Sequence, residues 1–320
     1  MSFTSEVKAE IGQVELKPCC LKAQLAAMLQ VDATLTIVNQ QFKLHFKTEN
    51  PTTAKRFWVL LKQRYDINPE LSITKQTKLK KNHVVSVLVN DQVKEILTDL
   101  QLWDAKGLHD VVNRQVVSKE CCARAYLAGA FLASGSVNSP SKSNYHLEIA
   151  LHNEELGKFV SKLMHRFDLP AKVITRRNQS VVYLKASDKI SDFLRAIAAH
   201  QAVMKFEDIR IQRDFKNSLT RLDNCEVANE VKTMKAALKQ IEDIELIQLV
   251  GRFELLEPKL KEVALLRQQF PEASFNELSE TYQQQTGTNM SKSGMKHRFN
   301  KIAGIADKIR ETQAKKHSKV

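Results

Sequence analysis

The last thirty residues of the chain are rich in side chains that bind nucleic acid. Lys and Arg donate hydrogen bonds to phosphate and guanine, while Ser, Asn and His bond base edges or phosphate oxygens. Here nine Lys or Arg residues stand against two acidic ones. His297 has no second ligand four residues later, which favours a hydrogen-bonding role over a metal site. The candidate DNA-binding residues are Ser291, Lys292, Ser293, Lys296, His297, Arg298, Asn300 and Lys301.

Three short helices are predicted to position these side chains. Pro258 suits the first position of a helix over 259–268, and Ser274 with Glu277 forms a capping-box pattern that opens a second helix over 275–284. Ser291 or Ser293 caps the last helix, whose apolar stripe leaves a basic face opposite. This arrangement favours a helix-turn-helix over about 274–307, with the last helix in the major groove. The alternative is a solvated amphipathic helix.

The charge of the chain also favours a polyanionic partner. The formal net charge is +13 over 320 residues. Residues 1–222 hold 33 basic and 22 acidic residues, residues 223–290 hold 7 and 12, and residues 291–320 hold 9 and 2. The surplus of positive charge is thus divided between a large first domain and the terminal segment, with an acidic region between them. This division favours two separate contacts with one nucleic acid. The alternative is that the charge serves solubility alone.

The five cysteines predict neither a disulfide framework nor a metal site. Their number is odd, and none of them forms a CxxC pair. Adjacent cysteines on a helix are expected to point to different faces and to pack as small hydrophobic residues, although Cys19 or Cys121 could be reactive. No signal-like or membrane-length apolar run is present, so we expect a cytoplasmic protein without cofactor or metal.

The first 222 residues contain an internal repeat. Cys19-Cys20 and Cys121-Cys122 precede similar apolar stretches, 102 residues apart, and Arg64–Ile67 aligns with Arg166–Leu169 at the same offset. Both halves, about 19–110 and 121–222, show the pattern αββαββα: a helix of small apolar residues, two alternating strands, an amphipathic helix, two more strands and a last helix. The predicted class is α+β with antiparallel sheets, followed by a linker helix over 223–250 and an all-α domain over 251–320.

The first helix of each half resembles the LAGLIDADG motif of homing endonucleases, in segments 25–33 and 127–135. In that family small residues let the two helices approach, and the penultimate position of each motif carries a carboxylate that binds divalent cations for phosphodiester cleavage. Here those positions are Asp32 and Ser134. A serine supplies no anionic ligand, so the resemblance implies the scaffold without catalytic residues, and Asp32 is better interpreted as a turn residue bonded to backbone N–H groups.

Active members of that superfamily lay antiparallel strands into the DNA major groove, and the corresponding loops here are basic. They predict a saddle that contacts phosphate. The equally good alternative is that these charges protect exposed strand edges. The residues are Lys75, Lys78, Lys80, Lys81, Arg176 and Arg177.

Over residues 1 to about 310 the chain resembles the WhiA family of regulators, most specifically in segments 2–8, 124–132, 224–229, 240–244 and 291–298. The resemblance implies a DNA-binding transcriptional regulator involved in cell division and chromosome segregation, and in sporulation in sporulating relatives, without nuclease activity and associated with the nucleoid. Two alternatives remain. One is a scaffold for a partner such as an RNA polymerase sigma factor or another regulator, and the other is a residual metal-dependent nuclease.

Overall fold

The computed structural model describes residues 2–75 and 83–317, which form two compact units, Met1–Asp214 and Phe215–Val320. The first half of the first unit contains α1 (Phe3–Ile11), α2 (Pro18–Asp32), β1 (Ala33–Val38), β2 (Gln41–Thr48), α3 (Pro51–Tyr65), β3 (Glu70–Lys75), β4 (His83–Val89), α4 (Val93–Asp99) and the small hairpin β5 (Trp103–Asp104) with β6 (Gly107–Leu108). The second half contains α5 (Glu120–Ser134), β7 (Gly135–Val137), β8 (Leu147–Leu151), α6 (Glu154–His165), β9 (Lys172–Arg176), β10 (Gln179–Leu184) and α7 (Ser187–Ala196).

The two halves share one sheet topology. The strand orders are β1-β2-β4-β3 and β7-β8-β10-β9, and every pairing is antiparallel. The predicted duplicated αββαββα fold is therefore confirmed. Local signals explain the helix starts: Asn50 accepts hydrogen bonds from the backbone N–H groups of Thr52 and Thr53 at 2.9 and 3.2 Å, and Asn153 accepts one from Leu156 at 2.7 Å.

Helices α2 and α5 pack against each other in the centre of the unit. Small residues make this contact close: a Cβ on Gly129 would lie 2.4 Å from the backbone oxygen of Gln24 and 2.9 Å from the Cβ of Ala27. The buried hydroxyl of Tyr126 donates to Gln30 Oε1 at 2.7 Å, which adds a directional bond to the apolar contact.

The structure also places the two cysteine pairs together, which the sequence spacing did not reveal. As expected for different helix faces, one cysteine of each pair is buried and the other is more exposed, but the Sγ atoms still lie 4.0 Å apart in each pair. All four Sγ atoms, of Cys19, Cys20, Cys121 and Cys122, lie within 4.8 Å of one another. Residues at the start of two packed helices can converge although they are distant along the chain.

The sequence pattern did not predict helix α1, which caps the N-terminus of a much longer helix, α8 (His200–Leu249). Helix α8 begins at His200, whereas the sequence pattern placed its start near Asn224. The carboxylate of Glu10 accepts hydrogen bonds from the backbone N–H groups of Gln201 and Ala202 at 2.7 and 3.0 Å, and Lys205 pairs with Glu6 at 2.6 Å. An acidic side chain at this position satisfies the free N–H groups of the first turn.

The C-terminal unit is helical, with α9 (Pro258–Gln269), α10 (Phe275–Thr286) and α11 (Lys292–His317) following α8. The predicted capping box is confirmed: the side chain of Glu277 accepts from the Ser274 backbone N–H at 2.6 Å, and Ser274 Oγ accepts from the Glu277 N–H at 3.3 Å. In the part of the chain that the structure describes, no helix is both long and apolar enough to span a membrane.

Candidate nucleic-acid interface

Helix α11 presents the predicted basic face to solvent. Its apolar stripe is buried against α9 and α10, with Met295, Phe299 and Ile302 between 0 and 3 % exposed. The helix begins at Lys292, and Ser291 Oγ caps it by accepting a hydrogen bond from the Gly294 N–H at 3.2 Å. The side chains that remain exposed are Ser291, Lys292, Ser293, Lys296, His297, Asn300 and Lys301.

The electrostatics of α11 suit a phosphate backbone. Its first acidic residue is Asp307, so the exposed N-terminal turns carry only positive or neutral side chains. The positive end of the helix dipole adds to these charges. Lys301 lies 4.0 Å from the Glu257 carboxylate, and because both side chains are exposed the pair is weak and leaves the ammonium available.

Arg298 differs from its neighbours. Its guanidinium is half-buried, donates to the Tyr282 hydroxyl at 3.3 Å and to the Lys259 carbonyl at 3.4 Å, and lies 5.5 Å from the centre of the Tyr282 ring. These contacts hold α11 against α9 and α10. Arg298 therefore has a packing role that sequence analysis, which grouped it with the DNA-binding residues, did not anticipate.

The predicted saddle is only partly described. Lys75 ends β3 opposite His83, and it is exposed. Arg176 and Arg177 are exposed in the β9–β10 hairpin, where Arg177 and Asn178 have φ values of 52° and 60°, the backbone of a tight primed turn. Lys78, Lys80 and Lys81 lie outside the described residues.

The outer face of the first sheet carries basic residues on β2 as well as at the β3–β4 hairpin. Lys43, His45 and Lys47 alternate along β2 and therefore share one face, which sequence analysis missed because the same stretch was interpreted only as an alternating strand. The matching face of the second sheet carries Lys172 and Arg176 beside Glu148, which pairs with His146 at 3.0 Å. Both sheets therefore present cations on this face.

Asp32 and Ser134 lie where the resemblance places them, at the last residues of α2 and α5. They line one pocket of about 330 Å³ together with Lys8 of α1. Burial raises the pKa of Asp32 to about 7, against a partial lowering by Lys8, and burial lowers the pKa of Lys8 to about 8. Sequence analysis missed Lys8 because nothing in its local pattern ties α1 to a residue in another helix.

These donors do not fit a pair of divalent cations. The pocket is lined by two carboxylates, that of Asp32, whose pKa is raised, and that of Glu49, and by the Ser134 hydroxyl. The ammonium groups of Lys8 and Lys47 line the same pocket and already supply positive charge. A hard cation requires several anionic or carbonyl oxygens and is repelled by an adjacent ammonium. The two ammonium groups therefore disfavour a divalent cation at this pocket.

Asp32→Asn is expected to raise the free energy of unfolding at alkaline pH and to make it less dependent on pH. The native pKa of Asp32, about 7, exceeds its usual 3.8, so between these pH values the native state binds more protons and the free energy of unfolding falls as pH rises. Asparagine cannot ionise. Above pH 7 the variant is expected to exceed wild type by about 2 kcal/mol, a figure reduced for the partial exposure of the carboxyl.

Urea unfolding at pH 5, 6, 7 and 8 measures this difference. Asp91→Asn, a change in an exposed loop, is the control and should follow the wild-type curve. Parallel curves for wild type and Asp32→Asn would show that the Asp32 carboxyl is not held protonated by burial.

Three family models match the chain. They are the WhiA N-terminal LAGLIDADG-like domain over residues 18–103, the WhiA LAGLIDADG-like domain over residues 123–216, and the WhiA C-terminal HTH domain over residues 219–306. Together they cover both repeats and the helical C-terminal unit.

Full-length relatives and solved structures agree with these matches. A protein of Bacillus cereus (strain AH187) named "Probable cell division protein WhiA" is 44% identical over 319 residues, which are 99% of this chain and 100% of the relative. The crystal structure of full-length DUF199/WhiA from Thermatoga maritima is 23% identical, covers 96% of this chain and 99% of that chain, and has a TM-score of 0.59. The N-terminal LAGLIDADG domain of DUF199/WhiA is 22% identical, covers 61% of this chain and 90% of that chain, and has a TM-score of 0.50. At these identities the two structures show the fold.

Proposed function

Because the chain belongs to the WhiA family, we propose that it is a DNA-binding transcriptional regulator that acts in cell division and chromosome segregation, and that it has no nuclease activity. Its place in the cell is then the nucleoid. The observation that carries the proposal is the exposed, purely basic and polar face at the start of α11, on a helix whose other face is packed into the C-terminal unit.

The geometry of α11 supports sequence readout more than general attraction. A recognition helix contacts base edges with the residues of its first turns, and here Ser293, Lys296, His297 and Asn300 occupy those turns and are exposed. The basic face of the first sheet and the β9–β10 hairpin supply phosphate contacts in this proposal. Phosphate contacts add affinity for DNA of any sequence, whereas the base contacts of α11 select one DNA sequence.

The absence of nuclease activity is supported by the pocket at Asp32. A centre with one carboxylate at the end of each of α2 and α5 would need an acidic residue at Ser134. Lys8 and Lys47 oppose any cation that Asp32 and Glu49 could hold. A scaffold for a protein partner remains the second candidate, and the acidic composition of residues 223–290 is the observation that favours it.

The experiment compares two charge-matched double variants of the full chain. Lys292→Ala/Lys296→Ala removes two exposed cations on α11, and Lys235→Ala/Lys239→Ala removes two exposed cations with the same four-residue spacing on α8. A library of random-sequence duplexes is selected with each protein and sequenced. We expect wild type and the α8 variant to enrich the same motif, and the α11 variant to enrich none.

A salt series on the selected duplex quantifies the loss. For the α11 variant we expect roughly 100-fold weaker binding near physiological salt. The slope of log affinity against log salt is expected to fall by about 0.9, for one phosphate contact of Lys292, since Lys296 is assigned to a base edge. Equal binding by both variants would contradict the assignment of α11. Retained capture of a protein partner with no DNA selection by wild type would favour the scaffold. Cleavage of the duplex by wild type in magnesium, lost in Asp32→Asn, would establish the nuclease.

A further inference from the structure

The four cysteines at the starts of α2 and α5 form a cluster that the proposed function does not use. Cys19 and Cys20 lie in the first turn of α2, and Cys121 and Cys122 lie in the first turn of α5. Each residue offers one Sγ atom, and no two of these atoms are more than 4.8 Å apart. Cys20 and Cys122 are buried, Cys19 is half-buried, and Cys121 is exposed.

The distances require a compact arrangement of the sulfur atoms. Two pairs are 4.0 Å apart. If the four atoms lay in a plane, with sulfurs of different helices at a van der Waals distance of about 3.6 Å, the diagonals would be about 5.4 Å. That exceeds the 4.8 Å limit, so the four atoms do not form such a rectangle but a more compact cluster.

This compact cluster is close to the spacing of sulfur atoms in a tetrathiolate metal centre. Zinc binds four cysteine sulfurs at about 2.3 Å, which puts the sulfurs about 3.8 Å apart. The observed distances need to contract by only a few tenths of an ångström to about one ångström, a change within reach of cysteine χ1 rotations.

The surrounding charges stabilise the negative charge of such a centre. The N-terminal ends of two helices meet at the cluster, with Lys17 and Lys119 as the N-cap residues.

We propose that Cys19, Cys20, Cys121 and Cys122 bind one zinc ion as a tetrahedral tetrathiolate site that joins α2 to α5. All four positions are filled by protein, so the site is structural and has no open position for a substrate. The expectation of no metal rested on spacing along the chain, which does not reveal ligands contributed by two helices 102 residues apart. The exposed Cys121 gives the ion an entry path.

Two measurements on the full chain test the proposal. Metal content is determined after purification under reducing conditions, with zinc in the growth medium, and the metal-free reduced protein is then titrated with Co²⁺, a spectroscopic probe of tetrahedral thiolate coordination. We expect one zinc per chain, intense visible d–d bands with sulfur-to-cobalt charge transfer, displacement of Co²⁺ by Zn²⁺, and proton release on binding.

Cys121→Ser is the informative variant, because its side chain is exposed and the change leaves the core intact. Cys225→Ser on α8 is the matched control, since Cys225 is also exposed and is not part of the cluster. We expect Cys121→Ser to weaken Co²⁺ and Zn²⁺ binding roughly 100-fold with unchanged circular dichroism, and Cys225→Ser to bind like wild type. Absence of metal and of cobalt bands in reduced wild type would overturn the site. So would equal binding by Cys121→Ser, or a disulfide across the helices in protein that binds no metal when reduced.

Discussion

Gly129→Ala is expected to lower the free energy of unfolding of the first unit by about 3 kcal/mol. The added methyl group would meet the backbone oxygen of Gln24 at 2.4 Å and the Cβ of Ala27 at 2.9 Å. Neither neighbour can rotate away, because one is backbone and the other is the first side-chain atom. Helices α2 and α5 would have to separate, and the buried hydrogen bond from Tyr126 to Gln30 would be stretched with them.

Tryptophan fluorescence during urea unfolding measures this change selectively. The chain has two tryptophans, Trp58 and Trp103, and both lie in the first unit. Gly304→Ala is the matched control: Gly304 is also helical, but its added Cβ would meet nothing within 4 Å. Alanine there is expected to stabilise α11 by about 0.5–1 kcal/mol and to leave the tryptophan transition of the first unit at its wild-type position. If Gly129→Ala leaves the tryptophan transition unchanged, the two helices do not approach as closely as described.

Arg267→Met is expected to destabilise the C-terminal unit by about 3 kcal/mol, because a buried guanidinium holds its loop together. Arg267 is 2% exposed. It donates to Gln240 Oε1 at 3.0 Å, to the Phe270 carbonyl at 3.3 Å and to the Ala273 carbonyl, and it lies 5.5 Å from the centre of the Phe299 ring. Burial lowers the pKa of Arg267 to about 10, which leaves it charged at neutral pH. Methionine fills similar space but leaves these acceptors without a donor.

Amide hydrogen exchange resolved over α9 to α11 detects the loss. Exchange is expected to accelerate roughly 100-fold in these helices, which corresponds to about 3 kcal/mol, while the tryptophan transition of the first unit stays at its wild-type position. Arg252→Met, at an exposed arginine of the same unit, is the control and should change neither signal. Equal protection in wild type and Arg267→Met would mean that the loop between α9 and α10 does not depend on this side chain.

Periodicity and capping signals located most elements of the fold, and the exceptions have physical causes. The capping box at Ser274 and the alternation over 42–46 are local, so they can be recognised in the sequence alone. Helix α1 has Phe3, Val7 and Ile11 on one face, with Ser2 accepting a hydrogen bond from the Ser5 N–H at 3.2 Å. The four-residue spacing of Phe3, Val7 and Ile11 could therefore have predicted α1 from the sequence alone. Strand β7 spans only three residues and is defined by its partner β8.

The candidate sites were predicted less completely, because their composition depends on contacts between distant segments. The repeat was enough to align Asp32 with Ser134, but Lys8 reaches that pocket from α1 and no local pattern predicts it. Arg298 lies at the border of the apolar stripe of α11, where the helical period does not tell a solvent-facing side chain from a packed one. The cysteine cluster forms where the N-terminal ends of two helices meet, and the spacing of the cysteines along the chain does not reveal that contact.

The hydrogen bonds by which the Glu10 carboxylate caps the N-terminus of α8 affect when α1 can finish folding during synthesis on the ribosome. Its partners, the backbone N–H groups of Gln201 and Ala202, are made 191 and 192 residues later. At roughly 5–20 residues per second, α1 waits for roughly 10–40 s before its last contacts can form. During that interval Phe3, Val7 and Ile11, which are buried in the finished protein, remain incompletely covered. The nascent chain therefore exposes the apolar face of α1 until the start of α8 has been made, and α1 is a segment that a chaperone would protect.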